Sequence, residues 1–195
     1  GLKLGKVHRL KFSEKVMELC EDASELLPAI EPLFAARNSV RDELRKLNNL
    51  LGRKSRNDDV CKRFLQIPGV GPLTSLAFKA TIDAPERFSS SKTVPAHLGL
   101  TPRICQSGET DRSGRISKSG DKLLRYLLVE AATSMLLISK KWCALKLWGI
   151  QLAERVGKPK AIVAVARKLA IVMHRIWVTG DDFTFGKVPD GLRTA

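Results

Sequence analysis

Apolar residues recur at helical spacing along most of this chain. Between residues 13 and 52 they fall at Ile30, Leu33, Val40, Leu44, Leu47 and Leu51, three and four apart once Arg37 is counted as a step. Such spacing builds one continuous stripe, with Arg41, Asp42, Glu43, Arg45 and Lys46 on the wet side. It fits a coiled-coil seam or an ordinary amphipathic helix equally. Ser13 with Glu14 marks a helix start, and Pro28 and Pro32 mark a break or restart. The run from Gly52 to Asp59 is polar and reads as a hinge. Beyond it the pattern predicts short helices over 60–67 and 73–80, and another near 92–98 capped by Ser89, Ser90 or Ser91. Longer helices are predicted over 121–138, 142–156 and 159–178. The first of these has Leu124, Leu127, Leu128, Ala131, Met135 and Leu136 as its apolar face, and Pro159 suits the first turn of the last. Residues 100–119 lack a helical period and read as a loop or an irregular hairpin. The tail after Gly180 is polar and expected to be loose. The expected fold is mainly α. A helical, coiled-coil-like arm occupies 1–57, a compact helical domain 58–180, and a flexible tail 181–195.

Composition adds a partner class. The 195 residues are 44% hydrophobic and 28% charged, a globular balance, yet the formal net charge is +14 and the pI about 10.0. That excess points to a polyanion, nucleic acid before an anionic membrane. No apolar stretch approaches the roughly 20 residues needed to span a bilayer. Cys20, Cys61, Cys105 and Cys143 are widely spaced, with no C-x-x-C pair, and are expected to be reduced thiols of a cytosolic protein. The chain opens Gly1-Leu2-Lys3, which reads as a fragment or an incomplete reading frame.

Three features carry candidate chemistry. Ile67-Pro68-Gly69-Val70-Gly71-Pro72, flanked by Phe64, Leu65, Leu73 and Leu76, resembles a helix–hairpin–helix element. Its glycines allow a tight turn, and the free N–H groups of the turn and the next helix can take a DNA backbone phosphate. A plain structural turn is the other reading, and Ser75 stands where such hairpins often carry Ala. Next, Arg112, Arg115, Lys118, Lys122 and Arg125 face one acid, Asp121, and nine cations between 138 and 177 face Glu154 alone. A solvated helix face usually mixes signs. With Arg103 these cations are candidates for phosphate contact, Lys118, Lys122 and Arg125 forming one stripe if the helix reaches back to Lys118. Finally, Gln106-Ser107-Gly108 stands amid this charge. By spacing alone Ser107 is a turn residue, and no histidine lies close enough in sequence to form a triad. Surrounding arginines could instead lower its pKa and stabilise a phosphoryl transition state. The acids Asp83, Glu86, Glu109 and Asp111 do not make the convergent cage a two-metal nuclease needs.

Taken in order, Ile67-Pro68-Gly69-Val70-Gly71-Pro72, Glu86-Arg87-Phe88, His97-Leu98-Gly99-Leu100-Thr101-Pro102-Arg103, Gln106-Ser107-Gly108, Gly114-Arg115-Ile116-Ser117-Lys118-Ser119-Gly120-Asp121, Leu124-Arg125 and Glu130-Ala131-Ala132 resemble the C-terminal transposase domain of the insertion-sequence 110/116/902 family. The resemblance continues through Trp142, Trp148-Gly149 and the 166–177 segment. It implies a DNA recombinase that moves its own element under guidance from a structured bridge RNA. It also implies that Ser107 is the nucleophile forming a transient phosphoserine link; Ser113, Ser117 and Ser119 do not match that position. The family pairs this domain with a RuvC-like domain whose acids hold Mg²⁺, expected before Gly1. No metal or other cofactor is expected in these residues themselves. Residues 13–52 are similar to the family's helical linker, which implies homo-oligomer contacts.

The expected function is thus DNA binding, strand cleavage and rejoining through Ser107, with the 100–119 loop as the catalytic loop. Enzymatic activity is expected only within a full-length protein. Phosphate contacts are expected at Gly69, Gly71, Arg103, Arg112, Arg115, Lys118, Lys122 and Arg125. The expected location is the bacterial cytoplasm at the nucleoid, with no membrane partner. The alternatives are a non-catalytic helix–hairpin–helix DNA-binding module, or an inactive transposase remnant.

Overall fold

The computed structural model of the chain describes residues 3–8, 11–21, 23–107 and 110–186, and of residues 104–107 and 110–113 the backbone alone. Helices dominate, as the apolar periodicity predicts, and the chain divides into two compact units, Gly1–Leu50 and Leu51–Ala195.

In the first unit, α1 (Phe12–Cys20) is fastened to the following helix by aromatic and cationic contacts. The Phe12 ring meets Phe34 edge-on at 6.3 Å, and Arg37 lies 5.0 Å over the same ring while donating to Ser13 Oγ at 3.0 Å. A 3₁₀ turn at Ser24–Leu26 leads into α2 (Leu27–Arg56). Pro28 sits in the first turn of α2, where a missing N–H costs nothing. Pro32 lies inside the helix without stopping it; it forfeits one bond, to the carbonyl of residue 28. The expected restart is therefore confined to the 3₁₀ turn.

The hinge expected over 52–59 is not present as such. Helix α2 continues through Arg56, with Gly52 and Ser55 buried and Ser55 Oγ donating to the Gly52 carbonyl at 3.1 Å. Arginine and lysine are good helix formers, so polarity alone does not break the backbone. The break comes at Asn57–Asp58. Asp58 caps α3 (Asp59–Phe64) by accepting from the Cys61 N–H at 2.9 Å.

The second unit is built around α8 (Lys158–Thr179). Its stripe of Ala161, Val165, Ala166, Leu169, Ala170, Met173 and His174 is buried, and it packs against α3, α5 (Val94–His97), α6 (Lys122–Leu137) and α7 (Ala144–Val156). Alanines at three of these positions let neighbouring helices approach closely. Helix α4 (Pro72–Ile82) packs on α3 and α6. Phe64 joins these layers, edge-on to Phe78 at 5.4 Å and to Trp177 at 6.3 Å. The apolar face predicted for α6 is the buried one, with Leu136 half-buried at its margin.

Residues 100–119 form a hairpin of β1 (Pro102–Ser107) and β2 (Thr110–Ile116), irregular between Pro102 and Ile104. The serines expected to cap the preceding helix do something else: Ser90 Oγ accepts from the Lys92 N–H, while α5 begins after Thr93 without a side-chain cap. The start of the expected loose tail is tied down. Asp182 accepts from Gln66 Nε2 at 2.8 Å, the Phe183 N–H donates to Gln66 Oε1 at 3.0 Å, and the Phe185 carbonyl accepts from Ala144 at 2.8 Å. Residues 187–195 lie outside the described residues. Among the described residues no helix is long and apolar enough to cross a membrane.

Candidate nucleic-acid interface

Two glycines hold the base of the hairpin against α5. Gly99 and Gly120 both have positive φ, +66° and +76°. A Cβ on Gly99 would lie 2.2 Å from the Ser119 carbonyl oxygen, and one on Gly120 2.0 Å from that of His97. Only glycine permits backbones this close. The interlock is sealed by hydrogen bonds from Ser117 N–H to the Thr101 carbonyl (2.9 Å) and from Lys118 N–H to the Gly99 carbonyl (3.1 Å). Lys118 itself is held at φ +58°, unusual for a residue with a Cβ, so its position is set by the surrounding bonds.

This geometry changes the expected cation stripe. Helix α6 begins only at Lys122, because Asp121 caps it by accepting from the Leu124 N–H at 2.5 Å and Gly120 turns the chain away. Lys118 therefore lies outside the helix. Arg125, a candidate phosphate contact, is also engaged within the fold. Its Nη1 donates to the carbonyls of Leu98 (3.1 Å), Ser119 (2.9 Å) and Asp121 (3.4 Å). It ties the hairpin base to α6, and reading charge along a sequence cannot reveal that.

Arg103, Arg115, Lys118 and Lys122 are exposed. Arg103 Nη2 also donates to the Ser117 carbonyl at 3.1 Å, bracing the first strand against the exit of the second. Ser107 closes the β1 ladder opposite Thr110, and Arg112 pairs with Cys105. By register Ser107 and Arg112 occupy the same face of the ribbon, since alternate ladder positions share a face. Their side chains lie outside the described residues.

A groove of about 710 Å³ runs between the hairpin base and the first half of α8. Arg115 and Lys118 border it on the hairpin side, Lys160 and Arg167 on the helix side. Sequence reading counts Lys160 and Arg167 among the cations but does not place them. The available signal was a second face on α8: Lys160, Val163, Ala164 and Arg167 are spaced i, i+3, i+4 and i+7, apart from the buried stripe. Other cations are engaged elsewhere. Lys146 is buried, donating to the Ser139 carbonyl at 2.6 Å and lying 4.4 Å over Trp142, and Lys168 stands 3.8 Å over Trp148.

At the α3–α4 turn, Gly69 has φ +86°, and a Cβ there would fall 2.3 Å from the Ala131 carbonyl oxygen of α6. Helix packing is thus sufficient reason for this glycine. Gly71 is different. It precedes Pro72 at the start of α4, no side chain caps that end, and nothing lies within 4 Å of where its Cβ would be. Ser75 is buried and donates to the Pro72 carbonyl at 2.9 Å, so it fits where a smaller residue was expected.

Several buried titratable groups serve the fold. His174 is buried against Phe88 (5.4 Å), with Nε2 2.9 Å from the Pro85 carbonyl and Nδ1 2.9 Å from Ser91 Oγ. A carbonyl only accepts, so Nε2 carries a proton; with Nδ1 paired to the Ser91 hydroxyl, the ring pins the 85–91 segment to α8. Cys20, Cys61 and Cys143 are buried and free. Burial, then the charge of Asp58, pushes the Cys61 thiol up to about 11, and burial raises Cys143. Both stay protonated near neutral pH, unsuited to nucleophilic attack. Among the described residues no three histidine, cysteine or acidic side chains gather as a metal site.

Comparison with known proteins bears on this domain directly. Residues 61–148, from α3 into α7 and including the hairpin, match the family model described as Transposase IS116/IS110/IS902 family. The transposase for insertion sequence element IS1111A of Coxiella burnetii is 28% identical over 194 residues, covering 95% of this chain and 52% of that protein. The Sinorhizobium fredii protein y4pF/y4sB, whose name classes it with transposases, is 33% identical over 169 residues, 83% of this chain and 43% of its own length. A Pseudomonas aeruginosa protein named for the family 20 transposases is 31% identical over 170 residues, 83% of this chain and 48% of its own. The chain spans about half the length of these curated relatives. With the helical fold, the basic hairpin and these matches in place, residues 61–148 are identified as a transposase domain of the IS116/IS110/IS902 family.

Proposed function

We propose that this chain is the DNA-engaging, serine-bearing part of a transposase that cuts and rejoins DNA through Ser107. The observation that carries the reading is the exposed basic hairpin, with Arg103, Arg115 and Lys118 on a base held rigid by the Gly99–Gly120 interlock and Lys122 following at the start of α6, inside the family domain. Four such cations, each neutralising one phosphate, give a binding constant that falls with salt at a slope of about −3.6 on logarithmic axes. In the step itself Ser107 Oγ attacks a backbone phosphorus and one P–O bond to a deoxyribose breaks. The hydroxyl proton goes to the departing sugar oxygen. The phosphoserine ester conserves the bond for rejoining by the reverse attack, and neighbouring guanidinium groups stabilise the extra phosphoryl charge.

The resemblance also implies Mg²⁺. Among the described residues no cluster of acidic, histidine or cysteine side chains fits a site for it; we assign that role to a RuvC-like domain of the full-length protein. A guide RNA and self-association complete the reading. Helix α2 supports the latter, because Leu33, Val40, Leu44 and Leu47 are 50–68% exposed on one stripe. Gly71 and the uncapped start of α4 remain candidates for backbone-phosphate contact.

The test is trapping. Full-length protein incubated with end-labelled DNA and denatured should yield a protein–DNA adduct that mass spectrometry maps to Ser107. Ser107→Ala should abolish adduct and strand exchange while DNA affinity stays within about twofold, as for a surface change outside the phosphate contacts. Normal exchange by Ser107→Ala would refute the nucleophile. A wild-type protein that binds DNA but never forms an adduct would favour the non-catalytic binding module.

A further inference from the structure

The groove between the hairpin base and α8 has a composition that phosphate contact alone does not require. Its floor is Leu100, Pro102, Ile116, Pro159, Val163 and Ala164; its rim carries Arg115, Lys118, Lys160 and Arg167; no acidic residue lines it. Backbone phosphates are held by charged and polar groups and have no use for an aliphatic floor. A nucleobase has an apolar face, and a base lifted from its stack is commonly held between apolar side chains. The volume, about 710 Å³, falls in the range of roughly 300–1,000 Å³ typical of small-ligand sites.

We propose that this groove holds one unstacked nucleotide of a single-stranded nucleic acid, with its base on the aliphatic floor and its phosphates on the rim cations. The inference rests on the nucleic-acid reading above and specifies what this part of the surface recognises. The placement is rigid on both sides. Ile116 and Lys118 sit on the interlocked hairpin base, and Lys160, Val163, Ala164 and Arg167 share one face of a 22-residue helix. A duplex presents no free base face, so the groove should discriminate strandedness rather than sequence. DNA opened for cleavage and a guide RNA would both offer the required chemistry.

The experiment is fluorescence anisotropy of the intact chain with dye-labelled single-stranded DNA, the same sequence as RNA, and the DNA duplex. Ala164→Phe fills the floor and leaves every cation in place. It should weaken single-strand binding by roughly tenfold, the scale of one lost base contact, and leave duplex binding unchanged. Lys160→Gln with Arg167→Gln should weaken all three probes and flatten their salt dependence. Wild-type protein with a single strand made entirely of abasic sites gives an independent reading if Ala164→Phe fails to fold. Equal affinity for abasic and intact strands, or equal effects of Ala164→Phe on single strand and duplex, would overturn the proposal. The DNA and RNA arms identify which strand is preferred. Failure of the wild-type chain to bind any nucleic acid would remove the parent reading itself, whereas duplex binding with no dependence on bases removes only this inference.

Discussion

Gly69→Ala asks why a glycine stands in the α3–α4 turn. With φ at +86°, any side chain there incurs the left-handed backbone cost, about 1–2 kcal/mol. The added Cβ would also sit 2.3 Å from the Ala131 carbonyl oxygen and 2.7 Å from the Met135 amide nitrogen. Both are backbone atoms in the second half of α6, so no rotamer change relieves the overlap and the turn must move off the helix. Overpacking of that kind costs about 1–3 kcal/mol. The sum, about 2–5 kcal/mol, lowers the melting temperature by roughly 4–20 °C at about 2–4 °C per kcal/mol. Circular-dichroism melts and urea titrations measure this. Gly71→Ala is the internal comparison, since its Cβ meets nothing within 4 Å and its φ is −101°; it should cost no more than about 0.5 kcal/mol. A DNA-affinity loss in Gly71→Ala without a stability loss would then report contact at the start of α4. If Gly69→Ala melted within a degree of wild type, the packing explanation for Gly69 would fail.

Two further outcomes are expected. Asp58 caps α3 and pairs with Lys79; burial pushes its pKa up, but the Lys79 hydrogen bond and the Cys61 amide outweigh it, leaving the carboxyl below its ordinary 3.8. Its folded-state pKa is depressed, so its contribution is present above the ordinary value and lost as pH falls through the lowered one. Asp58→Ala should therefore be about 1–2 kcal/mol less stable than wild type at neutral pH, with the gap narrowing below the ordinary value, as paired urea titrations would show; a pH-independent gap would contradict the assignment. On α2, Val40→Glu with Leu44→Glu should weaken self-association by roughly 100-fold, since two apolar side chains covered by a partner contribute about 3 kcal/mol together. Sedimentation equilibrium reads this directly, and a wild-type chain that stays monomeric throughout would rule the seam out.

Much of the helical framework was legible because its determinants are local. The α6 stripe and Pro159 in the first turn of α8 each follow from neighbours within one or two turns. The limits of local reading show at 52–56, where polarity suggested a hinge and α2 continues, and at 181–186, where a polar tail is secured by Gln66, distant in sequence. The role proposed for Ser107 rests on family resemblance, since an isolated serine has no chemical signature of its own in the sequence.

By itself the sequence determined the helical periodicities, the excess of positive charge and the ordered motifs that identify the transposase domain, because each is a property of residue order or of a sum. Tertiary structure alone decided which cations face outward. Arg125 turns its guanidinium to three carbonyls, Lys146 is buried, and Lys160 and Arg167 cross the chain to border the same groove as Arg115 and Lys118. A side chain's electrostatic role depends on what folding brings within a few ångströms of it, and those neighbours lie up to several dozen residues away along the chain.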